Sequence, residues 1–180
     1  MPVRQRRRKE GGLSVLRMDV TESAANTLTE NTANTPVDSN LGMAMLVKKV
    51  HLQFSLGGPP AARPAADAAA FFGGFAAINT RQNLAAMPNL STPGTVAILQ
   101  YLVWENSAPA DAGVGIGSAD KPFQEFDYAD GLVIADRMLS IYVVGQLSAS
   151  ACRAWAAIYY EMIRVTESQF MAALSVMESL

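Results

Sequence analysis

The side chains able to do chemistry are few in this chain. It has one histidine, His51, and one cysteine, Cys152. A lone imidazole removes His-pair chemistry and most metal sites, and a lone thiol permits neither an intrachain disulfide nor a Cys cluster. His51 falls on the polar side of an alternating segment, with no sequence neighbour to complete a triad. Cys152 stands just ahead of another alternating segment, where a buried structural thiol is the expectation. Gly113, Gly115 and Gly117 are spaced like a phosphate loop. No Lys-Ser/Thr follows them, however, and Pro122 stands where the helix would have to begin. Glu125, Asp127, Asp130 and Asp136 form an acidic stretch whose oxygens suit calcium, but the EF-hand spacing is missing and a solvated acidic loop is expected. Asn89-Leu90-Ser91 has sequon spacing without a secretion signal ahead of it. Trp155, Tyr159 and Tyr160 offer π-faces for stacking on single-stranded nucleic acid. Only Arg153 and Arg164 lie among them, so packing in the core is the expected role. Catalysis needs placed acids, bases, nucleophiles or metals. No catalytic residue, cofactor or metal site is expected, and the chain does not read as an enzyme.

Charge points to a partner more clearly than to a reaction. The net charge is −2, from 14 basic and 16 acidic side chains. Five of the basic ones, Arg4, Arg6, Arg7, Arg8 and Lys9, sit in the first ten residues against Glu10 alone, leaving nine basic and fifteen acidic side chains in the rest. Residues 1–12 therefore read as a flexible basic N-terminal arm, with no apolar residue after Val3 and a Gly11-Gly12 joint. Such an arm binds polyanions by releasing condensed counterions, with no sequence preference. These five residues are the expected nucleic-acid contacts. A solubility tail is the plain alternative.

The elements that must position these residues are strands. Half of the 180 residues are hydrophobic and 17% are charged, which fits one folded domain over residues 13–180. The apolar stretches fall short of the ~20 residues needed to cross a bilayer, and no partnership with a membrane is expected. Residues 13–21 form a short apolar-polar run. Residues 22–40, rich in Thr, Asn and Ser, suit turns and extended surface chain. Met43–Leu56 alternates, with Val50, Leu52, Phe54 and Leu56 on one side, and a phase slip at Lys48-Lys49 predicts a bulge. Prolines and glycines make 57–70 a loop. Residues 70–80 resume as a strand, with Phe72-Gly73-Gly74-Phe75 at a bend or close approach. Residues 81–94 are a loop. Residues 95–105 are apolar on both faces and read as a central strand. Residues 106–122 are a long loop, and 131–145 are two short strands meeting at Ala135-Asp136-Arg137. Residues 153–165 alternate. Thr166 and Gln169 have capping-box spacing at the start of a short helix. Its stripe Phe170, Ala173, Leu174 and Met177 should dock on the sheet or on a neighbouring subunit. The fold class is all-β: a single jelly roll or β-sandwich of seven to eight strands with a C-terminal helix.

A basic arm, a glycine joint and a β-rich body resemble the coat proteins of small icosahedral viruses. The segments that carry the likeness are LVKKVHLQF, NTRQNLAAMPNLSTPGTVA, GLVIADRMLSIYVV and IYYEMIRVTESQFMAAL. The resemblance is one of layout and transfers no site residue. It implies a homo-oligomeric shell subunit located in the virion and assembled in the host cell. Its partners would be copies of itself and, through the arm, the packaged genome. A small nucleic-acid-binding β-barrel with the arm as a clamp is the alternative reading. The acidic body favours the shell.

Overall fold

A computed structural model describes residues 12–57, 69–106, 115–118, 122–148 and 150–179. The five basic arm residues lie outside this set, as do 58–68 of the 57–70 loop and most of the 106–122 loop. Nine strands and one helix follow in order: β1 Ser14–Thr21, β2 Thr29–Asn34, β3 Met43–Ser55, β4 Ala69–Asn79, β5 Thr95–Asn106, β6 Gly115–Ser118, β7 Phe123–Ile134, β8 Met138–Gln146, β9 Arg153–Arg164 and α1 Glu167–Ser179. Eight strands have six residues or more, and β6 is a four-residue addition.

Their pairing is that of one long antiparallel hairpin. β4 pairs β5, β3 pairs β7, β2 pairs β8 and β1 pairs β9, each pair nested inside the next. The hairpin is then rolled, so that β9 meets β3 and β8 meets β4. Sheet A is thus β1-β9-β3-β7, and sheet B is β2-β8-β4-β5-β6. Consecutive arms of the hairpin alternate between the two sheets, which is the winding of a jelly roll.

The core lies between the sheets. It takes the inward set of each alternating strand: Val50, Leu52 and Phe54 from β3, Ile141 and Val143 from β8, and Ala154, Ala156 and Ile158 from β9. The β3 phase slip is real, with the register against both β7 and β9 shifting between Val47 and Lys49. Across it, β7 runs from Asp127 to Leu132 opposite that single step. Gly131 takes φ +81° in this excursion, where Leu46 leaves no space for a side chain. Gly74 is a true close approach, since a methyl group there would run into the Phe54 ring and the Val144 carbonyl.

Four expectations change. Residues 22–40 are not turn throughout, because Thr29–Asn34 forms the edge strand β2. The 106–122 loop contains β6, which pairs Val103–Asn106 of β5. The acidic stretch is not a loop, since Glu125, Asp127 and Asp130 belong to β7. Finally, β5 is not fully central: β4 flanks its length, while β6 covers only its last four residues. Its outer apolar side chain Ile98 borders an open depression of about 500 Å³, shared with Phe75, Gln100 and the 87–91 segment.

The 80–94 connection is tied over sheet B. Tyr142 Oη donates to the Arg81 carbonyl at 2.8 Å, and Glu30 accepts from Ser140 Oγ at 2.6 Å and from the Asn83 N–H at 2.7 Å. Buried Asn79 donates to the Pro93 carbonyl at 3.1 Å and accepts from the Arg81 N–H at 2.6 Å. Tyr128 Oη donates across the sandwich to the Val96 carbonyl. At the C-terminus the capping box forms: the Gln169 N–H donates to Thr166 Oγ1 at 3.3 Å, and the Thr166 N–H to Gln169 Oε1 at 2.9 Å. Phe170 packs against the core and is half-buried. The Leu174 and Met177 side chains lie outside the described set.

Two measurements follow from this packing. Phe170→Ala should cost about 2 kcal/mol, below the ~3–5 kcal/mol of a fully buried ring, read as a shift in the urea midpoint. An unchanged midpoint means the helix does not dock. Burial raises the Tyr128 and Tyr142 phenols above their ordinary 10.0. A raised folded pKa means that their contribution is complete below about pH 10 and is lost as pH rises through the folded values. In a titration followed at the phenolate absorbance, these two of the five tyrosines should ionise late, together with loss of the β-sheet signal. Their ionisation with the fold intact would contradict this.

Candidate functional site

The two sheets differ on their outer faces. Sheet B carries the 80–94 connection. On sheet A, the registers set outward side chains in three rows across the strands. Asp19, Trp155, Gln53 and Phe123 form one; Arg17, Ala157, His51 and Glu125 the next; Val15, Tyr159, Lys49 and Asp127 the third. The inward set of β9 is Ala154, Ala156, Ile158 and Tyr160. Trp155 and Tyr159 are therefore not core residues. The aromatic run divides by strand alternation, with Tyr160 facing inward and the other two facing outward.

The charges around the depression are largely matched, while Glu161, outward on β9, enters no ion pair among the described residues. Lys49 Nζ lies 3.2 Å from Asp127 and 3.3 Å from Glu125. The Asp127 carboxylate first, then Glu125, holds the Lys49 ammonium above its usual pKa. Arg153 reaches Asp19 at 2.6 Å and lies over the Trp155 ring, 4.8 Å from its centre. His51 Nε2 sits 3.1 Å from Glu125 Oε1, a close approach that is not an aligned hydrogen bond. Its ring tilts against Tyr159 at 5.0 Å. Arg17 is exposed and enters none of these pairs. Around Ala157, the smallest outward side chain, lies an open depression of about 610 Å³. Arg17, Asp19, His51, Gln53, Arg153 and Trp155 line it, all from β1, β3 and β9.

The acidic stretch does not gather into a cation site: Glu125 and Asp127 are turned to Lys49. Among the described residues, no group of three or more His, Cys, Asp or Glu could hold a metal ion. Gly115 and Gly117 are strand residues of β6 and make no phosphate loop. Asn89 accepts from the Ser91 N–H at 2.8 Å within its own turn.

Sequence patterns gave no sign of a buried carboxylate at the other end of the sandwich. Glu22 is 4% exposed and follows β1. Its Oε1 accepts the Gly145 N–H at 2.6 Å and the Thr27 N–H at 3.0 Å, and its Oε2 accepts the Cys152 N–H at 2.6 Å. Beside it, Asn26 exchanges two hydrogen bonds with the Ser148 backbone, at 2.9 and 3.0 Å. Cys152 is buried, as expected. Burial, with Glu22 nearby, raises its thiol pKa, which opposes reactivity. This cluster is structural. The only signal available in sequence was an isolated Glu at a strand end.

No protein-family model matches the chain, and no curated protein matches it either.

Removing the Glu22 carboxylate strands three backbone donors. Glu22→Ala should destabilise by on the order of 3 kcal/mol or more in urea unfolding, and Glu22→Gln by less, since its amide keeps one acceptor oxygen. An alanine variant as stable as the parent would show that these donors find other partners.

Proposed function

We propose that this chain is a subunit of a self-assembling icosahedral viral shell, with its basic arm, Arg4, Arg6, Arg7, Arg8 and Lys9, contacting the packaged genome. One observation carries the reading: a jelly-roll winding whose first strand, an edge of sheet A, follows directly on a segment of net charge +4. A rigid two-sheet body supplies a tile, and the arm supplies affinity for a polyanion.

The ends of the body support the same reading. The β1–β2, β3–β4, β5–β7 and β8–β9 connections leave one end. The start of β1, the 35–42 and 80–94 connections, and α1 share the other. At that second end Leu90 is 88% exposed, Leu41 69% and Met171 60%. An apolar groove of about 570 Å³ runs there between the Leu90–Thr95 turn, Leu132 and Val133 of β7, and Ala172 and Ala173 of α1. On this reading a second copy covers it. Closed shells need repeated contacts between identical chains, and stable ones bury on the order of 1,200 Å² or more in total. Two separate sheets, bounded among the described residues by β1 and β7 and by β2 and β6, favour this reading over a closed nucleic-acid-binding barrel.

Sedimentation and electron microscopy of the full chain at physiological salt test the proposal. Particles far larger than the 19.2 kDa subunit are expected. Deleting residues 2–9 should leave assembly possible while lowering packaged nucleic acid and flattening the salt dependence of binding. A monodisperse monomer at every salt and pH tried would overturn the shell. Unchanged nucleic-acid content after the deletion would overturn the role of the arm.

A further inference from the structure

We propose that the depression in the outer face of sheet A is a stacking site for an unpaired nucleobase, so that this face binds single-stranded nucleic acid. The inference rests on the proposed function for the partner's class, and adds a site on the folded body and the form of strand that it accepts.

Shape is the first ground. Trp155, Ala157 and Tyr159 are alternate residues of β9, so all three point outward, and the outer two stand ~13 Å apart at the usual rise. Ala157 lowers the floor beside Trp155, and Tyr159 stands behind His51 and does not itself line the depression. His51, opposite Ala157 on β3, closes the far side against Tyr159. The depression, at about 610 Å³, falls within the ordinary range for a small-molecule site. One wall is an indole with a guanidinium already stacked on it. Bases stack on such surfaces whatever their sequence, because every base has a π-face.

Charge is the second. The lining holds Arg17 and Arg153 against Asp19 alone. Arg153 is paired with Asp19, which leaves the Arg17 guanidinium for a phosphate. The face is graded: β7 brings Glu125, Asp127 and Asp130 and no basic side chain, β9 adds its outward Glu161, and Arg17 lies at the β1 edge. A polyanion is therefore steered to the β1 side.

The attachment of the arm is the third. Val15 of β1 is registered directly beside Tyr159. Lys9 is six residues from Val15, a span of at most ~20 Å when extended. One strand of nucleic acid can be held by the arm and by the face together. A duplex, with its bases paired and stacked, has no free base for the depression.

Binding of the full chain to a fluorescent oligodeoxythymidylate of about twenty nucleotides tests this, with a duplex and an inorganic polyphosphate of matched charge as comparison probes. Trp155→Ala should weaken oligothymidylate binding roughly tenfold, leave polyphosphate within about twofold, and be largely rescued by Trp155→Phe. Arg17→Gln should weaken the oligonucleotide and lower its salt slope by about 1. In a Trp104→Phe background Trp155 is the sole tryptophan, and its fluorescence should be quenched by oligothymidylate and not by polyphosphate. If Trp155→Ala fails to fold, the Arg17 variant and the quenching decide. Equal loss on all three probes means charge alone and overturns the site. So does unaltered oligonucleotide binding, including the case in which Trp155→Ala blocks assembly and marks the face as a contact between copies. Loss of binding on deleting residues 2–9 with Trp155 quenching absent would sustain the arm and reject this site. The reverse pattern would reject the arm alone.

Discussion

The rolled hairpin depends on a buried carboxylate. Rolling carries β1 and β2 into different sheets, and likewise β8 and β9, so two connections must cross the same end of the sandwich. Chain ends of strands leave N–H groups without ladder partners, and buried donors left unmatched cost ~1–3 kcal/mol each. Glu22 collects three of them, from Thr27, Gly145 and Cys152, with one side chain. Its own N–H donates to the Cys152 carbonyl at 2.9 Å, extending the β1–β9 ladder by a step. Its carboxylate thus joins the first connection to the last. Asn26 and Leu147, both at positive φ, make the tight bends on either side. Gly145 has no side chain because one would press on Cys152 Sγ and on the carboxylate. A buried charge is tolerated only when hydrogen bonds replace its water, and here backbone donors do so without a countercharge.

With that end secured, the two sheets are used differently. Sheet B gives part of its outer face to its own chain. Glu30, Asn79 and Tyr142 pin the 80–94 connection there, and Tyr142 is almost fully buried despite facing away from the core. The outer face of sheet A keeps a polar mosaic with an open depression of about 610 Å³. Tyr128 links the layers from within, through the Val96 carbonyl. Beyond its tie to the 80–94 connection sheet B is open as well, with a depression of about 500 Å³ lined by Phe75, Ile98, Gln100 and the 87–91 segment. The two faces therefore differ in chemistry, with arginines and a tryptophan around the depression on sheet A and mostly apolar side chains around the one on sheet B.

Strands whose apolar residues alternate were legible in the sequence: β1, β3, β4, β8 and β9 lie within a residue or so of their expected bounds. The β3 bulge was legible too, because a one-residue slip moves every later side chain to the other face. The capping box showed in two residues. β2 was not legible, because TENTAN has no apolar side to bury. It is held by its ladder to β8 and by Glu30, which are contacts of high sequence separation. β7 was hidden for a related reason. Its first half carries carboxylates whose partner, Lys49, lies 76 residues away from Glu125. β5 looked central because both of its faces are apolar, yet β6 pairs only its last four residues and its outer Ile98 borders an open depression. For β2 and β7 a contact distant in sequence replaced a local pattern.

The same limit governs the reading of charge. Summed along the chain, residues 11–180 are acidic, which argues against a nucleic-acid surface on the body. Summation ignores where pairs form. On sheet A the carboxylates of Glu125 and Asp127 are taken up by Lys49, and Asp19 by Arg153. Within a Debye length of ~8–10 Å a ligand meets such matched groups nearly as dipoles, and the unpaired ones set the local field. Arg17 of β1, the strand that the arm leads into, is in none of these ion pairs, and neither is Glu161 on the outward side of β9. The aromatic pair expected inside the core faces outward at the same place, because β9 alternates in the phase that sends Ala154, Ala156 and Ile158 inward. Small side chains on the inward phase let the sheets approach closely, and they send the large rings of Trp155 and Tyr159 to the open face. The packing of the core thereby determines the composition of the surface that we propose meets single-stranded nucleic acid.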